Sequence, residues 1–227
     1  MLTNEIFLSC QGEGVDAGIP TVFVRFQKCN VACRWCDTKY ALGEGGEELT
    51  VDEIVARVVN ADKYNCNRVY LTGGEPLIRD ISALVTNLKK IGYSITVATN
   101  GTLPRPSWWK KVLWDVDCKC TSSGVSVFDW SWSTIGRKNR IKFVVQDKDD
   151  LKFVIGMLPD LYGPLCSTIL VSPVILPGWF PDREKGCLIV GDRVEDWLQT
   201  VWGFCIKYQL RYSLQVHKVV WGMKKGV

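Results

Sequence analysis

Three cysteines fall within one short stretch, Cys29-Asn30-Val31-Ala32-Cys33-Arg34-Trp35-Cys36-Asp37-Thr38, directly after the apolar run Thr21-Val22-Phe23-Val24-Arg25-Phe26. The spacing of three and then two intervening residues lets a loop leaving a strand wrap its thiolates around one side of a cubic iron–sulfur cluster. A closed [4Fe–4S] cluster takes four thiolates, so three local ones leave one iron open to another ligand. Three plainer readings compete: part of a zinc site, which needs a fourth thiolate or imidazole; disulfide partners; and coincidence in a chain with ten cysteines.

The 227 residues suit one large α/β domain. A hydrophobic content of 47% and a charged content of 23% are those of a globular chain. The formal charge is +4. Its basic runs, Arg137-Lys138-Asn139-Arg140 and the tail from Lys218 to Lys225, are too short to argue nucleic-acid binding and read as solvated faces. The opening Met1-Leu2-Thr3-Asn4-Glu5 has no signal-peptide pattern, and no apolar run reaches a membrane-spanning length. With ten cysteines, these features lead to the expectation of a reducing cytoplasm, with thiols as ligands or core residues. Cys66, Cys166, Cys187 and Cys205 have apolar neighbours and read as small buried side chains.

Apolar β-type runs alternate with helical patterns, the signature of repeated βα units. The first strand is expected over Pro20–Phe26. Thr50 and Glu53 are spaced as a capping box, with Ile54, Val55, Val58 and Val59 as the helix's apolar face. A second strand, Arg68–Thr72, leads into Gly73-Gly74-Glu75-Pro76. Asp80 opens a helix carrying Ile81, Leu84, Val85 and Leu88. Further β runs are expected at Ile95–Thr99, Val112–Val116, Ile141–Val145 and Thr168–Val171, then a helix at Val194–Cys205 and a last strand at Leu210–Val216. Six or seven strands imply an incomplete (βα)6-type barrel in a single domain over 1–227, with active-site groups at the strands' carboxyl ends. Trp108-Trp109 and Trp130-Ser131-Trp132 read as packing.

Leu71-Thr72-Gly73-Gly74-Glu75-Pro76 is a second chemical signal. Two glycines after a strand let the backbone approach a ligand closely, and the Glu can accept hydrogen bonds from an ammonium group; an ordinary tight turn is the alternative. Asp37-Thr38 either caps the next helix or gives a hydroxyl to a hard cation such as Mg²⁺.

The C-x3-C-x2-C spacing with Gly-Gly-Glu-Pro resembles the radical S-adenosylmethionine (SAM) superfamily. Longer stretches are similar to the 7-carboxy-7-deazaguanine synthase family: Glu5 to Gly14 with Gln11-Gly12-Glu13-Gly14, Gly18 to Arg25, Cys36-Asp37-Thr38, Thr99-Asn100-Gly101-Thr102, Thr121-Ser122-Ser123-Gly124, Lys142-Phe143-Val144-Val145 and Gln215-Val216-His217-Lys218. The resemblance runs over essentially the whole chain. It implies a radical SAM lyase that turns 6-carboxy-5,6,7,8-tetrahydropterin into 7-carboxy-7-deazaguanine with release of ammonia, a step toward queuosine-type 7-deazapurines. It implies a [4Fe–4S] cluster on Cys29, Cys33 and Cys36, SAM, and Mg²⁺ on Thr38. SAM would be met by Gly73, Gly74, Glu75, Asp117 and Lys119. Substrate would meet Cys10, Gln11, Gly12, Arg25, Thr72 and His217, with 210–227 as the substrate-side segment.

The residue types suit this chemistry, since a pterin's ring donors and acceptors match backbone groups and amides such as Gln11 and Gly12, and its carboxylate suits Arg25; a structural ion pair is the plainer role for Arg25. The implied partners are the small-molecule substrate, a reductant such as flavodoxin or ferredoxin, and a second copy in a homodimer, with no nucleic acid and no membrane. Two positions depart from the family pattern: Ala98 replaces an acidic residue before Thr-Asn-Gly, and Asp117-Cys118-Lys119 stands where many members have Ser-Pro-Lys. Cys118 and Cys120 leave open a second metal site. A glycyl-radical activating enzyme and a zinc-stabilised binding domain are the alternative functions.

Overall fold

The computed structural model describes residues 1–161, 168–175, 192–222 and 224–226. Its elements run β1 (Leu2–Cys10), β2 (Pro20–Phe26), β3 (Glu47–Glu48), α1 (Val51–Ala61), β4 (Arg68–Gly73), α2 (Ser82–Lys90), β5 (Ser94–Thr99), β6 (Leu113–Lys119), β7 (Arg140–Val145), α3 (Lys148–Leu161), β8 (Thr168–Pro173), α4 (Asp192–Tyr208), β9 (Arg211–Tyr212) and α5 (Val216–Trp221). One sheet has the order β3-β1-β2-β4-β5-β6-β7-β8-β9. From β2 through β9 every neighbouring pair is parallel, the pattern of an open, partial barrel.

Side-chain alternation along each strand divides the sheet into two faces. On β6, Trp114, Val116 and Cys118 are fully buried in the apolar layer, whereas Asp115, Asp117 and Lys119 are half-buried on the opposite, lumen face. β4 repeats this with Val69 and Leu71 outward and Tyr70 and Thr72 inward. β7 does so with Ile141, Phe143 and Val145 against Lys142. The helices cover the outer face. α1 starts on the expected capping box, with Thr50 Oγ1 accepting from Glu53 N at 3.2 Å and the Glu53 carboxylate accepting from Thr50 N at 2.8 Å. Asp80 caps α2 by accepting from Ser82 N at 2.8 Å.

Several expectations change. A full strand, β1, precedes Pro20–Phe26 and pairs antiparallel with it; the polar residues Asn4 and Glu5 hide its apolar rhythm. Val59 is 52% exposed and lies off the buried face of α1. α3 was not anticipated, although Leu151, Val154, Leu158 and Leu161 bury one side of it. The last expected strand shrinks to Arg211–Tyr212, and Val216 opens a helix instead, so His217 is helical. The basic runs are not wholly solvated. Arg140 is buried and paired with Asp16 at 2.5 Å and Asp115 at 3.2 Å, and Lys218 is buried as well.

The tryptophan segments have a fold-level reason. Neither the β5–β6 nor the β6–β7 crossover carries an α-helix; each uses short 3₁₀ turns, Trp109–Lys111 and Trp130–Thr134. Indole rings fill the space: Trp132 lies 4.9 Å from Trp114, which lies 5.6 Å from Trp108. Their N–H groups are satisfied, Trp114 Nε1 by Trp109 O and Trp132 Nε1 by Leu103 O, both at 2.8 Å. Cys205 is buried, as expected, whereas Cys66 is only half-buried against the core; Cys166 and Cys187 lie outside the described residues.

Candidate active site

One cavity at the lumen is lined by Cys10, Gln11, Gly12, Arg25, Cys29, Cys33, Cys36, Thr38, Thr72, Gly73, Gly74, Asp117, Lys119 and His217. These are all but one of the residues expected from sequence. The exception is Glu75, which is fully buried beneath the loop. Its carboxylate accepts from Leu77 N at 3.0 Å and Asn100 N at 2.6 Å, tying the glycine turn to the end of β5. Burial pushes its pKa up.

The glycine turn and the cysteine loop are in direct backbone contact. Gly74 N donates to Phe26 O at 3.0 Å and Glu75 N to Lys28 O at 2.9 Å. A Cβ on Gly74 would sit 1.9 Å from Lys28 O, and one on Gly73 2.2 Å from Phe26 O with φ +129°. Only glycine permits this approach. It sets where the cysteine loop begins.

Cys29, Cys33 and Cys36 are free thiols on the cavity wall. Burial pushes the Cys33 and Cys36 thiols up. A single tetrahedral zinc ion, with Zn–S near 2.3 Å, needs sulfurs about 3.8 Å apart. Among the described residues, the one group of three or more ligand atoms all within 4.8 Å of one another is Glu13, Asp37 and His217; the three thiols do not form such a group. Three thiols on one loop suit a polynuclear cluster, which takes one thiolate on each of three irons; Asn100 Nδ2 lies 3.7 Å from Cys29 Sγ. Among the described residues, Cys118 and Cys120 belong to no group of three or more metal-ligand atoms. Both are fully buried in the apolar core, and burial pushes the Cys118 thiol up to about 12 and Cys120 higher still.

A row of alternating charges lines the cavity beside the cysteine loop. Lys119 Nζ meets Asp117 at 2.7 Å, Asp117 meets Lys142 at 3.2 Å, and Lys142 donates to Glu13. His217 Nε2 lies 3.9 Å from both Glu13 and Asp37, and Lys218 lies 3.2 Å from Asp37. Burial alone would raise the Glu13 pKa, but Lys142 and His217 overcome it and hold the group at about 2. Asp37 is likewise held well below its usual range: burial opposes ionisation, and the neighbouring His217 and the Lys218 charge outweigh it. Burial works against the charge of Lys142, yet Asp117 and Glu13 beside it push its pKa well up.

Gln215 knits the two chain ends together, its Nε2 donating to Glu13 at 2.9 Å and its Oε1 accepting from Lys218 at 2.9 Å. Val216 N donates to Gly12 O at 2.9 Å, and a Cβ on Gly12 would lie 2.4 Å from His217 Nδ1. Arg25 has the ion pair that was its plainer reading: Nε donates to Glu5 at 2.7 Å, while Nη1 stands 3.5 Å from Thr38 Oγ1. Thr38 Oγ1 donates to Asp37 Oδ1 at 2.9 Å, placing the hydroxyl next to the Glu13–Asp37–His217 group, whose oxygens and nitrogen could hold a divalent cation.

Sequence reasoning passed over Glu13, Trp35, Tyr70, Lys142 and Lys218 as cavity residues. Strand parity could have found Lys142, which pairs in register with Asp117 across β6 and β7. Lys218 carried no local signal, because only the docking of α5 buries it.

A sequence model of the Radical SAM superfamily matches residues 23–116. The 7-carboxy-7-deazaguanine synthase of Thermoplasma acidophilum is 34% identical over the full length of both chains. The chain belongs to the 7-carboxy-7-deazaguanine synthase family. The enzyme of that name from Koribacter versatilis is 31% identical over both full lengths. The Escherichia coli one is 28% identical over 95% of this chain and 96% of its own. The crystal structure of QueE from Escherichia coli superposes with a TM-score of 0.71 at 27% identity, covering 95% of this chain and 94% of that one. Family membership brings radical SAM chemistry, with a [4Fe–4S] cluster, SAM and Mg²⁺ as the working groups, and it overturns the zinc-domain alternative. Among the described residues no helix is long and apolar enough to cross a membrane.

Proposed function

We propose that this chain converts 6-carboxy-5,6,7,8-tetrahydropterin to 7-carboxy-7-deazaguanine with release of ammonia, in the making of queuosine-type 7-deazapurines. The observation that carries the reading is the junction of Gln11-Gly12-Glu13 with Gln215-Val216-His217-Lys218 in the wall of the cavity that the three thiols line. It forms a wall of amides and paired charges suited to a planar, polar heterocycle. A glycyl-radical activating enzyme has no use for such a wall, and the full-length relatives carry the synthase name.

Cys29, Cys33 and Cys36 would hold the cluster. Gly73, Gly74, Asp117 and Lys119 would border SAM, and Thr38 would hold Mg²⁺. Bound together, the cluster and SAM supply a carbon-centred radical able to take hydrogen from carbon. The chain's own residues bind and orient. Gln11 folds its Oε1 onto Gly12 N at 2.8 Å, which presents its amide N–H groups to a ring acceptor. Glu13, kept ionised by Lys142, accepts from ring N–H groups. Arg25, whose Nη1 stands 3.5 Å from Thr38 Oγ1, would give the substrate carboxylate a cationic partner, and Mg²⁺ held by Thr38 would add a second positive charge. Thr72 presents its hydroxyl from the inner face of β4, and Cys10 borders the rim. His217 Nε2, between two carboxylates, is placed to hold or pass a proton as ammonia leaves.

Anaerobic incubation of the reconstituted protein with SAM, dithionite and the carboxypterin tests this. The deazaguanine acid and ammonia should accumulate; 5′-deoxyadenosine without deazaguanine would reject the substrate. Light scattering should give twice the 25.6 kDa chain mass for the proposed homodimer. The acid reductant proteins flavodoxin and ferredoxin should each replace dithionite, and added nucleic acid should not bind.

A further inference from the structure

A buried carboxylate outside the cavity is linked to the cysteine loop through a single turn. Asp150, in the first turn of α3, is fully buried. Its Oδ1 accepts from Thr121 Oγ1 at 3.2 Å and Ser122 N at 3.0 Å; its Oδ2 accepts from Gln146 N at 2.8 Å and Ser122 Oγ at 2.5 Å. A helix-capping role accounts for the Gln146 contact alone. The other three bonds fix the turn Thr121–Ser123 after β6.

That turn holds the cysteine loop at two points. Arg34 N donates to Ser123 O at 3.0 Å, and Trp35 Nε1 donates to Ser122 Oγ at 3.0 Å. Because Ser122 Oγ donates its hydrogen bond to Asp150 Oδ2, it presents a lone pair to the indole, and the two bonds reinforce each other. Trp35 stands between Cys33 and Cys36, lines the cavity, and has Lys119 Nζ 5.6 Å from its ring centroid.

We infer that Asp150 and Ser122 are positioning residues that act through Trp35: the relay Asp150–Ser122–Trp35 sets the indole against which SAM lies beside the cluster. The inference rests on the placement of SAM at Gly74 and Lys119 and not on the identity of the pterin, so its readouts avoid pterin turnover. A carboxylate is required at 150. An amide there would set its NH₂ against either Ser122 N or Gln146 N, both donors.

The test compares Ser122→Ala, Ser122→Thr and Trp35→Phe at equal cluster occupancy. Ser122→Ala removes the indole's acceptor but leaves Asp150 its backbone bonds to Ser122 and Gln146. It should raise the SAM concentration needed for the SAM-induced change in the reduced cluster's EPR spectrum about tenfold, the worth of one partly buried hydrogen bond. Trp35→Phe, which keeps a ring without the N–H, should shift it to a similar extent, and Ser122→Thr should restore it. Asp150→Asn should move SAM dependence the same way. An unchanged SAM titration in Ser122→Ala would overturn the relay. So would a variant that loses iron or thermal stability with the SAM titration unmoved, since that is the result of a merely structural turn.

Discussion

Replacing Gly74 by alanine should unseat the cysteine loop, and the size of the effect follows from the backbone geometry. The new Cβ would lie 1.9 Å from Lys28 O, 2.3 Å from Lys28 C and 2.9 Å from Cys29 N, all main-chain atoms without rotamers to adjust. A carbon–oxygen contact relaxes at about 3.3 Å, so the two segments must separate by about 1.4 Å. That displacement breaks the bonds from Gly74 N to Phe26 O and from Glu75 N to Lys28 O. Two lost backbone bonds and local overpacking sum to about 3–5 kcal/mol, a large share of a stability of about 5–15 kcal/mol. Anaerobic urea unfolding of the iron-free protein reads that loss directly, and iron per chain after reconstitution should fall with it. The exposed helical Gly156, whose Cβ meets nothing within 4 Å, is the control; its alanine variant should gain up to about 1 kcal/mol. If Gly74→Ala unfolds within about 0.5 kcal/mol of the wild type and loads full iron, the close-approach argument is wrong.

Glu13 is held near 2 against an ordinary 4.5, so its ionised form stabilises the fold at neutral pH. A depressed carboxylate contributes fully above the unfolded value and loses its contribution as pH falls through the folded one. The stability gap between wild type and Glu13→Gln should therefore be about 3 kcal/mol near pH 7 and should close between pH 4.5 and 2, read as urea midpoints. Lys218→Met, which removes the buried cation facing Asp37 and one donor to Gln215 Oε1, should cost about 3 kcal/mol and raise the KM for the pterin while leaving that for SAM in place. Cys36→Ser should lose most reconstituted iron and the brown absorbance. Cys118→Ala should keep both and cost about 1 kcal/mol in unfolding experiments.

What the sequence determined was local. Cysteine spacing, the glycine pair after β4, the Thr50–Glu53 capping box and the period-two strands are all encoded within a few neighbouring residues, so they were legible without coordinates. Strand alternation also puts Asp117 and Lys119 to the lumen and Cys118 to the core, although the β run expected over Val112–Val116 stopped short of all three. β1 escaped notice because its inward residues meet the polar cavity and its charged neighbours, which removes the apolar rhythm that marks a strand. Glu75 shows the converse: its motif was legible, but its buried hydrogen bonds to Leu77 and Asn100 were not.

Only the tertiary structure could bring Glu13 within reach of Lys142, Gln215 and His217, groups separated by 129 to 204 residues in the chain. Long-range ion pairs leave no periodic trace in sequence, since a lysine bound for a buried carboxylate and one bound for water occupy the chain alike. Lys218 and Arg140 sit in basic runs that read as surface, and both are buried because the barrel supplies a carboxylate where each one lands. The missing crossover helices around β6 are likewise a matter of packing. The indoles of Trp108, Trp114 and Trp132 meet only when the two crossovers flanking β6 fold back onto that strand.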